Sequence, residues 1–181
     1  MILRALSGWL ALCLLAAPAW AGTPLGGDFT LHTTKGEAVS LQSLRGKVVL
    51  IYFGFTHCPD MCPAELLQYR ELMARLPPER RRQVQPIFVS LDPQRDTAEV
   101  LDAYVGHFGE DIMALTGSAQ ELRRVTAQYA ARFRYVPTGS GYTVDHSVNT
   151  YLIGTDGKLV RILPHGTSTE AMLQEVARLL P

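Results

Sequence analysis

The run Val48–Phe53, six consecutive apolar residues, constrains the fold more than any other part of the sequence. A strand without a polar face is typical of the centre of a parallel sheet that is covered on both sides. A second short apolar run, Ile87–Val89, predicts another such strand. Helical patterns follow these runs and begin at Pro63 and at Thr97. Strands that alternate with helices predict a largely parallel, helix-covered sheet.

Hairpin patterns stand at both ends of this alternating region. Each joins two short strands across a turn: Phe29–His32 with Ala38–Ser40, and Thr150–Ile153 with Leu159–Leu163. The second turn contains Asp156-Gly157, a dipeptide typical of tight hairpins. A last amphipathic helix pattern follows the second hairpin. The sequence therefore predicts one α/β domain over residues 22–181, with a thioredoxin-like fold and an N-terminal β-hairpin extension.

The first 21 residues have the layout of a secretory signal peptide. Arg4 precedes the apolar run Ala5–Ala17, and Ala19-Trp20-Ala21 places small residues where signal peptidase requires them. We therefore predict a signal peptide over residues 1–21 that is cleaved after Ala21, and a protein located in the periplasm. The alternative is an uncleaved segment that anchors the protein in the inner membrane, although the apolar run is short for spanning a bilayer.

The charge balance and the cysteine count narrow the class of protein. Lys and Arg together number 17, and Asp and Glu together also number 17. A dedicated nucleic-acid-binding protein should be clearly basic, so no nucleic-acid partner is expected. Cleavage of the signal peptide would leave two cysteines, Cys58 and Cys62. In an exported protein such a pair raises the question of a disulfide.

Both cysteines lie where the strand Val48–Phe53 leads through a loop into a helix that begins near Cys62. Unpaired amides make the start of a helix electropositive, which favours a reactive thiolate there. Because Cys58 lies in the loop and Cys62 in the first turn, their sulfurs can converge on one point. They can then close a disulfide or bind a soft metal ion. Thioredoxin-type redox motifs have two residues between the cysteines. The third intervening residue in this sequence separates the pair further, which we interpret as room for a metal ion between the sulfurs.

A soft metal ion held by two thiolates usually takes a third ligand, and imidazole suits copper. His146 is the best placed of the five histidines, because the preceding stretch, Pro137–Gly141, is predicted to be flexible and can bring it to the cysteines. An isolated loop histidine is more often structural, however. Asp145 is predicted to orient the ring of His146. His57 is an alternative ligand beside the first cysteine, and Met61 offers a thioether, although an exposed or gap-filling methionine is more usual.

Separated motifs give the sequence a family resemblance. They are Tyr52–Pro63, Val89–Thr97, Tyr142–Ser147, Tyr151–Ile153 and Asp156–Lys158. In these motifs the chain resembles the Sco/SenC copper chaperones, the cytochrome c oxidase assembly proteins. The resemblance implies a thioredoxin-like fold and one copper ion per chain, with Cys58, Cys62 and His146 as its ligands. Asp92 and Asp96 match as well, but a strand-end turn and a helix cap explain them without chemistry.

The resemblance also implies a role at the binuclear copper site of cytochrome c oxidase subunit II, by one of two chemistries. A metallochaperone, the function we favour, delivers copper to subunit II, receives it from another copper chaperone, and needs His146. A periplasmic thiol–disulfide reductase acts on the cysteines of that site, draws on a thiol reductant, and needs only Cys58 and Cys62 as a redox-active pair. A purely structural disulfide is a third interpretation, although it would close a very small loop and restrict the unfolded chain little.

Overall fold

The computed structural model describes residues 25–180, so the predicted signal peptide, residues 1–21, lies outside them. The strands in this range are β1 (Thr30–Thr33), β2 (Ala38–Ser40), β3 (Val48–Gly54), β4 (Val84–Ser90), β5 (Met113–Thr116), β6 (Phe133–Thr138), β7 (Gly141–His146), β8 (Thr150–Ile153) and β9 (Leu159–Leu163). Seven strands form one sheet in the order β2-β1-β5-β4-β3-β8-β9, and β6 pairs with β7 in a separate two-stranded sheet.

Strand β3 lies at the centre of the large sheet, as its apolar run predicts. All seven of its residues are buried, and it pairs in parallel with β4 and antiparallel with β8. Tyr52 stacks against Phe88 on one face of the sheet. The next residue, Phe53, points to the other face and contacts Tyr151 edge-on. Both faces of the strand are therefore covered, which explains the absence of polar residues from it.

Helices connect the strands and cover the sheet. They are α1 (Met61–Arg75), α2 (Pro78–Arg81), α3 (Ala98–Gly106), α4 (Ala119–Gln128) and α5 (Thr169–Leu179). Helix α1 lies between the parallel strands β3 and β4 in the chain and packs against α5. Helix α3 leads into β5, which pairs in parallel with β4. No helix within residues 25–180 is long and apolar enough to cross a membrane.

The order of these elements confirms the predicted thioredoxin-like α/β fold. A β3–α1–β4 unit with parallel strands is followed, after α3 and α4, by the antiparallel pair β8 and β9 and by α5. Strands β1 and β2 form the predicted N-terminal hairpin and extend the sheet beyond β5. The carboxyl end of β3, in the middle of the sheet, leads directly into the cysteine-containing loop.

The hairpin of β6 and β7 was not predicted. Strands β6 and β7 pair along their whole length, from Phe133 opposite His146 to Thr138 opposite Gly141. His146 is thus the last residue of a strand, and the prediction that it lies in a flexible loop after Pro137–Gly141 is wrong. Of the twelve residues in these two strands, only Val144 is buried. The hairpin therefore lacks the alternation of buried apolar residues by which a strand is recognised in sequence.

Candidate metal centre

The end of β3 and the start of α1 bring the two cysteines together, as the sequence predicts. Cys58 is half-buried in the loop, and Cys62 is fully buried in the first turn of α1. The backbone N–H of Cys62 donates a hydrogen bond to the Cys58 sulfur at 3.4 Å. The Cys58 sulfur therefore lies over the start of the helix, where free amides favour a negative charge.

Gly54, the last residue of β3, allows Cys62 to approach the sheet. A Cβ atom at this position would lie 2.7 Å from the Cys62 sulfur and 2.7 Å from the ring of Phe88. Both distances are well inside van der Waals contact, so any side chain here would displace the buried thiol. The glycine thus fixes how deeply Cys62 sits beneath the loop.

His146 completes a three-residue group at the edge of β7. Its Nε2 atom lies 3.7 Å from the sulfur of Cys62. Its Nδ1 atom lies 2.9 Å from the backbone oxygen of Ser147. Because a carbonyl oxygen can only accept a hydrogen bond, Nδ1 is the nitrogen that donates to Ser147, and Nε2 is the nitrogen that faces the Cys62 sulfur. The rings of Tyr52 and Phe55 pack edge-on against the imidazole, with centroid distances of 6.1 and 5.7 Å.

The predicted role of Asp145 is wrong. Its carboxylate accepts a hydrogen bond from Nε of Arg134 at 2.9 Å, on the exposed side of the hairpin. Successive side chains of a strand point to opposite faces, so Asp145 and His146 cannot both face the cysteines. The carbonyl of Ser147 therefore takes the orienting role that we had predicted for Asp145.

One potential ligand atom from each of Cys58, Cys62 and His146 lies within 4.8 Å of the other two. Metal–sulfur and metal–nitrogen bonds are about 2.0–2.3 Å long, so small movements would place an ion between all three atoms. Two thiolates with one imidazole form a soft donor set, suited to copper or zinc and unsuited to magnesium or calcium. The residues present therefore fit a soft metal ion.

The two thiols differ strongly in acidity. A hydrogen bond from the Cys62 thiol, with further help from His146 and the backbone amides of Cys62 and Asp60, lowers the pKa of Cys58 to about 3. The same hydrogen bond, together with burial and the nearby charge of Cys58, raises the pKa of Cys62 far above its usual value. In the metal-free protein, Cys58 is thus the thiolate and Cys62 the thiol that donates to it.

The other two candidate ligands lie apart from this group. Nδ1 of His57 is 3.1 Å from the hydroxyl of Thr56 and 3.8 Å from the carboxylate of Asp96. The half-exposed ring therefore turns to these two residues, as expected if neighbouring loop side chains diverge. Met61 is 38% exposed, which agrees with the prediction of an exposed methionine.

Sequence reasoning missed a buried acid beneath the cysteines. Glu65 is 1% exposed and lies one helical turn after Cys62. One carboxylate oxygen accepts a hydrogen bond from the hydroxyl of Thr150 at 2.6 Å, and that hydroxyl also pairs with Tyr69 at 2.8 Å. The other oxygen faces Nδ1 of His165 at 3.8 Å, too far for a hydrogen bond. The spacing of three residues from Cys62, on the inward face of α1, was the signal available in the sequence.

We expect Glu65→Gln to reduce the sensitivity of the metal-free protein to rising pH. Burial raises the pKa of the Glu65 carboxyl, although Thr150 and His165 oppose the effect. A raised folded-state pKa means that stability is complete while the acid is protonated in both states, and is lost as the pH rises and the buried acid ionises. The free energy of unfolding, measured with urea from about pH 4 to about pH 8, should fall further in the wild type than in the variant. A pH-independent difference between the two proteins would contradict this.

The fold and the site define a class: a thioredoxin-like domain with two cysteines and a histidine grouped at the start of its first helix. A family model described as SCO1/SenC matches residues 18–181. The chain belongs to this family, which confirms the resemblance carried by the sequence motifs.

Individual relatives agree with this assignment. Protein SCO2, mitochondrial, of Saccharomyces cerevisiae is 35% identical over an alignment of 161 residues, and the match covers 87% of this chain and 54% of the yeast protein. The chain thus spans about half the length of that relative. Bradyrhizobium japonicum ScoI, solved with copper bound, is 35% identical with a TM-score of 0.79, over 86% of this chain and 99% of that one. BsSco, a member of the Sco family of cytochrome c oxidase assembly proteins in which a disulfide switch was identified, is 27% identical with a TM-score of 0.68, over 87% of this chain and 95% of that one.

Proposed function

We propose that this protein binds one copper ion per chain through Cys58, Cys62 and His146. The observation that carries the proposal is the convergence of these three ligand atoms within 4.8 Å. Thiolate ligands select Cu(I), and imidazole suits copper as well, so the donor set accepts this metal. Copper bound to the similar Bradyrhizobium japonicum ScoI supports the same choice.

The cysteines and the histidine have separate tasks in this binding. Cys58 is ready as a thiolate, whereas Cys62 must give up its proton when the ion enters. His146 presents a lone pair from a different element of the fold, so it can approach or leave without disturbing the cysteine loop. Such a site can hold copper and still release it by exchanging one ligand at a time.

We further propose that copper is cargo, delivered to the binuclear copper site of cytochrome c oxidase subunit II. BsSco, to which the chain is similar, belongs to a family of cytochrome c oxidase assembly proteins, and this supports the choice of partner. Half-buried Cys58 and His146 place the site at the surface, where a partner's thiols can reach the ion. Another copper chaperone would load the site.

The proposed location follows from the N-terminal sequence. Residues 1–21 would direct export and be removed after Ala21, which leaves residues 22–181 as a copper-binding domain in the periplasm. The alternative is a domain held at the inner membrane by the same segment. N-terminal sequencing of the protein recovered from periplasmic and membrane fractions distinguishes the two.

A second candidate function is the reduction of a disulfide in the same partner. The observation that favours it is the asymmetry of the pair, with Cys58 an accessible thiolate and Cys62 a buried thiol. Cys58 would attack the partner's disulfide to form a mixed disulfide, and Cys62 would then displace the partner's second thiol. The partner gains two electrons, one proton from the Cys62 thiol and one from water, and Cys58–Cys62 becomes a disulfide that a periplasmic thiol reductant must reopen.

His146→Ala separates the two functions in cells. Copper delivery requires the imidazole ligand, whereas disulfide reduction requires only the two thiols. We therefore expect cells that carry this single change to assemble oxidase without its binuclear copper, as measured by the copper content and activity of the purified oxidase. A control strain with Arg134→Gln, an exposed position on the same hairpin, should assemble a normal enzyme. Normal oxidase in the His146→Ala strain would overturn delivery and favour the reductase.

A further inference from the structure

The hairpin β6–β7, which carries His146, forms no ladder with the large sheet in the described residues 25–180. Apart from its short chain connections to α4 and β8, its position relative to the cysteines therefore depends on side-chain contacts. These contacts converge on the segment Leu91–Arg95, directly after β4. The hydroxyl of Tyr135, on β6, donates a hydrogen bond to the backbone oxygen of Leu91 at 2.8 Å.

Arg95 makes the most extensive of these contacts. Its Nη1 donates to the backbone oxygen of Tyr142 at 2.8 Å, and its guanidinium lies over the Tyr142 ring, 3.9 Å from the centroid. Its Nε donates to the carboxylate of Asp92 at 2.5 Å. The hydroxyl of Tyr142 donates to the other oxygen of Asp92 at 2.7 Å. Arg95, Asp92 and Tyr142 thus form a closed set of contacts, which we call the hairpin clamp.

The charged pair of the hairpin clamp, Asp92 and Arg95, is largely shielded from water. The Asp92 side chain is fully buried and that of Arg95 is 25% exposed. Charged groups in such surroundings interact more strongly than at the surface, and loss of one partner leaves the other uncompensated. From the sequence we explained Asp92 and Asp96 by a strand-end turn and a helix cap. These two roles do not account for the contacts that Asp92 makes with Arg95 and Tyr142.

The same segment is tied to the cysteine loop. The N–H of Leu91 donates to the backbone oxygen of Gly54 at 2.8 Å, at the point where β3 enters the loop. The Arg95 guanidinium also lies 5.8 Å from the ring centroid of Phe55, the ring that packs against His146. One segment thus contacts both halves of the metal centre, the loop with the cysteines and the hairpin with the histidine.

We propose that the hairpin clamp sets the distance between His146 and the cysteine sulfurs, with Arg95 as the positioning residue. Arg95 has no hydrogen bond to any of the three ligands and acts through Tyr142, four residues before His146. With the clamp closed, the imidazole stays beside Cys62. With it open, the hairpin can move and carry the third ligand away. This inference rests on the copper-binding function proposed above.

Three variants test the hairpin clamp in the reduced protein. Tyr142→Phe removes one hydroxyl and keeps the ring beneath Arg95. Arg95→Lys keeps the positive charge beside Asp92 but loses the planar fork that reaches two acceptors at once. Arg134→Gln is the matched control, because it removes an exposed ion pair from the same hairpin and leaves the clamp intact.

The first measurement is amide hydrogen exchange of the metal-free proteins. We expect faster exchange in β6 and β7 for Tyr142→Phe and Arg95→Lys, with unchanged exchange in β3, and wild-type exchange throughout for Arg134→Gln. The second is copper affinity by competition with a Cu(I) chelator. Both clamp variants should bind copper about tenfold more weakly, a typical effect of replacing a residue that supports a metal ligand. The control Arg134→Gln should bind copper with wild-type affinity.

The two measurements fail in distinguishable ways. A wild-type protein that binds no copper would refute the proposed function, and the exchange data would still test the hairpin clamp by themselves. Wild-type exchange in the hairpin of Arg95→Lys and Tyr142→Phe would overturn the clamp. Wild-type copper affinity in Arg95→Lys would also overturn it, because that result would mean that Arg95 only neutralises the charge of Asp92.

Discussion

Cys62→Ser should abolish tight copper binding by the reduced protein. Cys62 is fully buried between the helix start and β3, where Gly54 lets its sulfur approach the sheet, and no other thiol can replace it there. A hydroxyl is a poor ligand for a soft metal. The loss of copper affinity should therefore exceed the roughly 10–100-fold loss that is typical when a residue that orients a metal ligand is replaced. Equilibrium competition with a Cu(I) chelator measures it.

Met61→Leu is the matched control for this substitution. Met61 also carries sulfur and lies between the cysteines, but it is exposed and outside the three-residue group. Its replacement should leave copper affinity unchanged. If Cys62→Ser kept wild-type affinity, or if Met61→Leu lost it, the assignment of the sulfur ligands would be wrong.

His146→Ala should weaken copper binding and leave the disulfide chemistry intact. The substitution removes the Nε2 ligand but neither sulfur, so the ion keeps two of its three ligands. We expect copper affinity to fall by about 100-fold, the upper end of the loss that follows when a residue that orients a metal ligand is replaced. Thiol counting after mild oxidation should still show a Cys58–Cys62 disulfide, and mild reductant should reopen it, as in the wild type.

Either of two results would contradict this division of tasks. Unchanged copper affinity in His146→Ala would exclude the imidazole as a ligand. Two free thiols that persist under oxidant, in the variant or in the wild type, would exclude the redox pair. A variant that loses both properties would indicate a folding defect, which amide exchange in β3 would reveal.

The core of the fold could be predicted because its signals are local. The continuous apolar run of β3 requires cover on both faces, and the loop and helix that follow fix where the cysteines lie. Two thiols four positions apart at a helix start can converge without contacts from distant parts of the chain. The predicted convergence of Cys58 and Cys62 therefore rested on backbone geometry alone.

The surroundings of His146 could not be predicted in the same way. They depend on contacts between residues far apart in sequence, such as that of Arg95 with Tyr142. The exposed hairpin has no apolar alternation, and this concealed that Asp145 and His146 point to opposite faces of a strand. The hydrogen bond from Tyr142 to Asp92 likewise depends on the docking of the hairpin, which only the folded chain provides.

The most direct test of the proposed copper site is a copper titration of the reduced protein without the predicted signal peptide, residues 22–181, followed by X-ray absorption at the copper edge. We expect saturation at one copper per chain, with two sulfur ligands and one nitrogen ligand. In His146→Ala the nitrogen contribution should disappear while both sulfurs remain. Saturation at a different ratio, or a wild-type spectrum without nitrogen, would contradict the site formed by Cys58, Cys62 and His146.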